Sequence, residues 1–187
     1  MSLADFLIPL ALGFAFNLAS AFTTAFSRRW GARRGSLVTS ILRDVLGIPV
    51  WAIGFGLAVR APSPLLFAST TAVDVVGWLI IAAGGTIILM ALFTLRLPAV
   101  MPSMRDTLVQ DGLYAHVRHP IHGGTLLEFA GLLLLAPTQA VALACALGVV
   151  WILAQTGLEE RDLLQRLPDY RGYMERVPRF LPRFRAN

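Results

Sequence analysis

The sequence predicts an all-α fold: a polytopic transmembrane helical bundle of about five spans, with a C-terminal helical hairpin and a cytoplasmic amphipathic tail. Hydrophobic residues fill 56% of the 187 positions and charged residues only 14%, against about 25% charged in a soluble domain. Apolar runs of about 20 residues, the length that crosses a bilayer core, recur along the chain. All 16 Lys/Arg positions are Arg, and they gather in the gaps between those runs. That placement suits orientation in a membrane rather than a nucleic-acid-binding face, so the lipid bilayer is the expected partner and nucleic acid is not.

The first span covers 3–26 and is closed by Arg28, Arg29, Arg33 and Arg34. Its charge follows the apolar core instead of preceding it, the reverse of a cleaved signal peptide, which predicts a retained helix with its N-terminus outside. The second span, 37–59, ends at Arg60 and the Ala61-Pro62-Ser63-Pro64 turn. The third runs over 73–95, with Ser69, Thr70, Thr71 and Asp74 at its outer mouth. A polar segment, 96–118, carries Arg96, Arg105, Asp106, Asp111 and Arg118. The fourth span, 120–135, and the fifth, 139–158, form the hairpin, folded at Ala136-Pro137-Thr138. The tail holds Arg161, Arg166, Arg171, Arg176, Arg179, Arg183 and Arg185. With five spans and an outside N-terminus, 14 of the 16 Arg residues face the cytoplasm, leaving Arg43 inside a span and Arg60 outside. The chain divides into three N-terminal spans (1–95) and a cofactor-binding core (96–187). The lone Cys145, inside an apolar run, permits no disulfide framework or cysteine metal site and reads as a small buried hydrophobe.

The polar residues converge. Measured from Pro137, His119 and Glu159 lie on the two arms of the hairpin, each about 27–33 Å away at 1.5 Å per residue. Arg118 and His119 therefore share a depth with Glu159 and Glu160. Pro120 suits the first turn of a helix, and Gly123 and Gly124 clear side chains where a ligand or another helix approaches. A helix N-terminus favours a carboxylate or phosphate, so the carboxylate of S-adenosylmethionine and the phosphates of a nicotinamide dinucleotide both fit. His116, His119 and His122 are spaced by three, but Pro120 and the glycines break the helical continuity that ligand spacing needs, and no metal is expected. Tyr170 and Tyr173 read as interfacial belt residues. Ser/His/Asp arrangements, phosphate loops and Gly-rich dinucleotide fingerprints are absent from the sequence. Glu128, about 12 Å into the fourth span, and Arg43 with Asp44 in the second are costly in lipid and must face a bundle interior or a wet cavity. A Glu128–Arg43 pair is the expectation.

The stretch Asp106-Thr107-Leu108-Val109-Gln110-Asp111-Gly112-Leu113-Tyr114-Ala115-His116-Val117-Arg118-His119-Pro120-Ile121-His122 resembles the isoprenylcysteine carboxyl methyltransferase family and its phospholipid methyltransferase relatives. Leu-Val, Gly-x-Tyr and Arg-His-Pro are followed, in the family's order, by a helical hairpin, Glu159-Glu160, Tyr170/Tyr173 and Val177-Pro178-Arg179-Phe180-Leu181-Pro182. The likeness covers about 105–183; residues 1–95 match only as hydrophobic spans.

The resemblance implies S-adenosylmethionine-dependent methyl transfer to a lipophilic or small acceptor, with the cofactor in a cytoplasm-facing pocket. It implies cofactor contacts from Asp106, Thr107, Leu108, Val109 and Tyr114, from His119, Pro120, Ile121 and His122, and from Glu159. Arg118, His119 and Glu160 become the candidate catalytic residues, and Gln155 and Glu128 the candidate substrate contacts. Two positions depart from the family: His122 replaces a Tyr, and Gln155 replaces an Arg that meets the substrate carboxylate in prenylcysteine enzymes. An amide poorly replaces a bidentate guanidinium, which points to a phospholipid amine, a small thiol or another lipophilic acceptor. A membrane NADPH-dependent reductase of the sterol-reductase type, or a non-enzymatic membrane protein retaining the fold, are the alternatives; a transporter fits less well because the ionisable groups cluster at one interface.

Overall fold

The computed structural model describes residues 2–100 and 107–182, the side chains of 96–100 excepted. It is all-helical among the described residues: α1 (Leu3–Ser20), α2 (Thr23–Trp30), α3 (Ala32–Ser40), α4 (Ile48–Arg60), α5 (Thr71–Val100), α6 (Pro120–Leu135), α7 (Gln139–Arg166) and α8 (Tyr170–Arg176). Four stretches are long and apolar enough to cross a membrane: Leu3–Ser20, Ala32–Arg60, Thr71–Leu95 and Gln139–Arg166; α6 is a shorter apolar helix. About five spans is thus the architecture, as the sequence predicts.

The first predicted span ends early. Ser20 Oγ donates to Asn17 O at 2.6 Å and Asn17 Nδ2 to Gly13 O at 3.4 Å, local side-chain bonds that compete with the helical ladder. The chain bends at Ala21–Phe22 and continues as α2. The second span is continuous from Ala32 to Arg60, but its middle, Ile41–Gly47, is π-helical. Gly47 lets that turn close on Asn17, whose amide group occupies the place a Cβ would take. α1 and α4 pack closely there, Gly54 meeting Leu10.

The hairpin forms where predicted, with Pro120 at the start of α6 and Thr138 capping α7 through a bond from Val141 N–H to its hydroxyl at 3.3 Å. Its turn pairs with the α4–α5 loop: Leu66 N–H donates to Pro137 O at 2.7 Å and Gln139 N–H to Pro64 O at 3.0 Å. α6, however, lies tightest against α5. Gly77 and Gly84 face Gly131 and Gly124; a Cβ on Gly84 would stand 2.6 Å from Gly124 O, and one on Gly124 2.6 Å from Gly84 O. Small residues permit such backbone approach in a membrane, where burial of apolar surface drives helices together only weakly.

α7 therefore stands between the α1/α4 pair and the α5/α6 pair. Phe14 stacks on Trp151 at 4.8 Å, Phe55 on Phe129 at 4.8 Å, and Trp51 lies 5.8 Å from Trp151. Cys145 is buried and its thiol donates to Phe129 O at 3.5 Å. α7 does not stop at residue 158 as predicted. Its 28 residues reach about 42 Å at 1.5 Å each, well beyond a hydrocarbon core of about 30 Å. The final turns carry Glu159, Glu160 and Asp162 out of the lipid as a rigid platform.

Candidate functional site

That platform gathers the distant segments. Asp162 accepts the Thr24 N–H at 2.8 Å and the Arg166 Nε–H at 3.0 Å, so a buried carboxylate on α7 satisfies an orphan donor at the start of α2. Glu160 anchors the opposite side. Arg118 donates to its Oε1 through Nε at 3.0 Å and Nη2 at 2.9 Å, and Arg179 grips both of its oxygens. Arg118 Nη1 also donates to Met174 O at 2.9 Å and to Val177 O. The tail runs beside the Arg-His-Pro segment, with Arg118 N–H donating to Pro178 O at 2.9 Å and His119 N–H to Arg179 O at 3.1 Å. The Glu160 interaction holds the Arg179 guanidinium above its ordinary pKa. A charge only 4% exposed is tolerable because it is paired and multiply hydrogen-bonded.

Beside this clamp lies a cavity of ≈ 490 Å³, within the range of small-molecule sites. Its lining combines Thr107, Tyr114, Arg118, His119, His122, Gln155 and Glu159 with apolar Leu108, Val109, Ile48, Trp51, Ile88, Leu92 and Trp151. Glu159 Oε1 accepts from Gln155 Nε2 at 2.7 Å, and its Oε2 lies 3.7 Å from His119 Nδ1. His119 Nε2 lies 3.2 Å from Glu160 Oε1. Gln155 is almost fully buried, and its Oε1 has no protein partner among the described residues.

Gly112, at φ 56, occupies the left-handed region that suits glycine. It starts the 3₁₀ turn Gly112–Ala115, which turns Tyr114 inward. Tyr173 donates its hydroxyl to Tyr114 O at 2.6 Å. Tyr170 and Tyr173, expected as an interfacial belt, are instead buried at 3% and 2% exposure and line the cavity. Burial raises the Tyr114 and Tyr170 pKa values and pushes Tyr173 up to about 12, so all three stay neutral at physiological pH and act as walls and donors rather than bases.

Of the sequence candidates, Thr107, Leu108, Val109, Tyr114, Arg118, His119, Ile121, His122, Glu128, Gln155 and Glu159 meet at this cavity. Pro120 is buried behind it, and Glu160 is absorbed in the ion cluster. Asp106 lies outside the described residues. The expected Glu128–Arg43 pair is not among the ion pairs of the described residues: Arg43 binds its neighbour Asp44 at 2.8 Å, while Glu128 fits the notch left by Gly84 and Gly85. The π-helical turn brings Arg43 and Asp44 to the same cavity, the surroundings the sequence predicts for charges inside a span. Sequence reasoning missed Arg179, although the Val-Pro-Arg-Phe run marked the position.

Residues 75–165 match the model of the isoprenylcysteine carboxyl methyltransferase (ICMT) family. The matched region, close to half of the chain, is an ICMT-family domain. It runs from α5 to the end of α7 and includes Arg118, His119, His122, Gln155, Glu159 and Glu160. Such a domain supports a membrane methyltransferase of the ICMT kind. No curated protein and no solved structure matches the chain.

Proposed function

We propose that this protein transfers the methyl group of S-adenosylmethionine to a lipophilic or small acceptor. Its donor site faces the cytoplasm, and its N-terminus lies on the far side of the membrane. The observation that carries this reading is one cavity that brings the Arg-His-Pro segment and Glu159 together with apolar side chains of α4, α5 and α7. The donor set fits the cofactor. Glu159 presents a carboxylate for its cationic end, the start of α6 a positive dipole end for its carboxylate, and the orphan Gln155 Oε1 an acceptor. Asp106, Thr107, Leu108, Val109 and Tyr114 would wrap it, with His119, Pro120, Ile121 and His122 at the helix start.

Bound, the cofactor supplies a methyl group already activated on a sulfonium. The chain's own work is to align the acceptor with that carbon and to keep water out, which the buried tyrosines and Trp151 do. His119, held by Glu160, and His122 stand where an acceptor proton would leave. Arg118 and Glu160 position His119 and dock the tail. Glu128 and Gln155 are the proposed acceptor-side contacts. Gln155, already donating to Glu159, offers no charge to a carboxylate acceptor.

The test is calorimetric titration of the purified chain in detergent with S-adenosylhomocysteine and, separately, NADPH. Saturable binding of the first alone, weakened at least tenfold by Glu159→Ala, is the expected result. Binding of NADPH in its place overturns the assignment. Labelled methyl transfer to prenylcysteines, phosphatidylethanolamine and small thiols then identifies the acceptor.

A further inference from the structure

We infer that His119, His122 and Glu159 form a binding site for a divalent metal ion of the zinc class in this cavity. One ligand atom from each residue lies within 4.8 Å of the others. Tetrahedral ligands at 2.0–2.2 Å from a zinc ion stand roughly 3.4 Å apart. The 3.7 Å between His119 Nδ1 and Glu159 Oε2 is already near that spacing, and side-chain movements of roughly 1.4 Å at most close the rest.

A continuous helix through the histidines is unnecessary when His119 is the N-cap of α6, His122 lies in its first turn and the third ligand comes from α7. The two rings stand edge to face at 5.7 Å, and His122 and Glu159 both line the cavity.

The surrounding groups orient the ligands as they do around known metal sites. A metal-binding histidine usually gives its other ring nitrogen to a carboxylate, which fixes the tautomer and aims the free lone pair. Glu160 Oε1, 3.2 Å from His119 Nε2, holds that position, so Nδ1 is left to face Glu159 and the cavity. Gln155 donates to Glu159 Oε1 at 2.7 Å and leaves Oε2 for the ion. Glu159 lines the cavity, so one carboxylate serves the ion and the donor's cationic end together. Two imidazoles and a carboxylate, with no thiolate, suit a borderline divalent ion and leave one position open.

The role of the ion, unlike its binding, rests on the methyl transfer proposed above. The open position takes the acceptor's nucleophilic heteroatom, whose proton leaves to water as the bond to the ion forms. The heteroatom's lone pair then attacks the sulfonium methyl carbon. The old carbon–sulfur bond breaks with its electron pair going to sulfur, giving the methylated acceptor and S-adenosylhomocysteine.

The test strips the full-length protein in detergent with EDTA and titrates it with ZnCl₂ by calorimetry. One ion per chain is expected, with affinity falling at least tenfold in His122→Ala and in Glu159→Gln, and unchanged in His116→Ala, an exposed histidine outside the cavity. His122→Asn keeps a polar side chain in the same space, and melting curves show whether each variant is folded. Absence of saturable zinc binding, or equal affinity in folded His122→Ala or His122→Asn, overturns the site. S-adenosylhomocysteine titrated into the same metal-free sample separates the two readings. Donor binding without zinc binding removes only the metal site, whereas zinc binding without donor binding removes only the methyl-donor assignment.

Discussion

Glu159 and Glu160 are neighbours in sequence, yet the two sides of α7 on which they lie have opposite characters. Around Glu160, two guanidiniums and an imidazole close on one buried carboxylate and tie the tail to the Arg-His-Pro segment. Around Glu159, a half-open carboxylate faces a cavity with one amide bond to hold it. Successive residues on a helix point about 100° apart, so an acidic pair at the end of a span divides naturally into one residue for assembly and one for chemistry. The lesson extends to candidate assignment: full satisfaction of a charge signals structure, whereas a charge with spare acceptor capacity beside a cavity signals a ligand.

The largest test of that contrast is Glu160→Ala. It leaves Arg118, 9% exposed, without its counter-charge, and breaking such a pair costs about 3–5 kcal/mol. Thermal melting in detergent should show the loss. Arg179→Ala removes the outer arm, 36% exposed, while Arg118 still neutralises Glu160. About 1.5–3 kcal/mol is expected from the same melts. Tyr173→Phe deletes the bond to Tyr114 O and should cost about 1 kcal/mol, loosening the turn over the cavity and lowering donor affinity with it.

The smallest stability effect belongs to Glu159→Ala, within about 1 kcal/mol because its partners retain water or one another. Its donor-binding loss should nonetheless be the largest of the set. A Glu159 variant that melts as early as the Glu160 variant would erase the distinction. The buried phenols add a pH signature. Folding raises the Tyr173 pKa to about 12 from an ordinary value near 10, so the folded state holds its proton more tightly. Stability is undiminished below pH 10 and declines as pH rises through 12; melts across that window should show a decline that Tyr173→Phe blunts.

Much of the fold was legible because membrane physics writes it in one dimension. Apolar length and interrupting Arg residues located the spans, Pro120 and Pro137 located the hairpin's start and turn, and both prolines stand where expected. The span's predicted end at residue 158 is not the end of α7, because a change from apolar to charged residues marks the edge of the lipid, not the end of hydrogen bonding. The break after Ser20 and the π-helical turn at Ile41–Gly47 depend on Asn17 and Gly47 meeting across two helices, a contact no local pattern encodes. The same applies to Arg43, which the sequence paired with Glu128 and the structure pairs with Asp44.

The sequence alone determined that the chain is a helical membrane protein whose Arg-His-Pro and Glu-Glu motifs return to one depth, because helical rise converts residue counts into distance. Only the tertiary structure decided what each motif residue does. The rotation of α7, the docking of α6 on α5 through facing glycines and the tail's pairing with Arg118 place Glu160 in the clamp. They leave Glu159 and His122 facing the cavity, because side-chain direction depends on the angle of one helix against another.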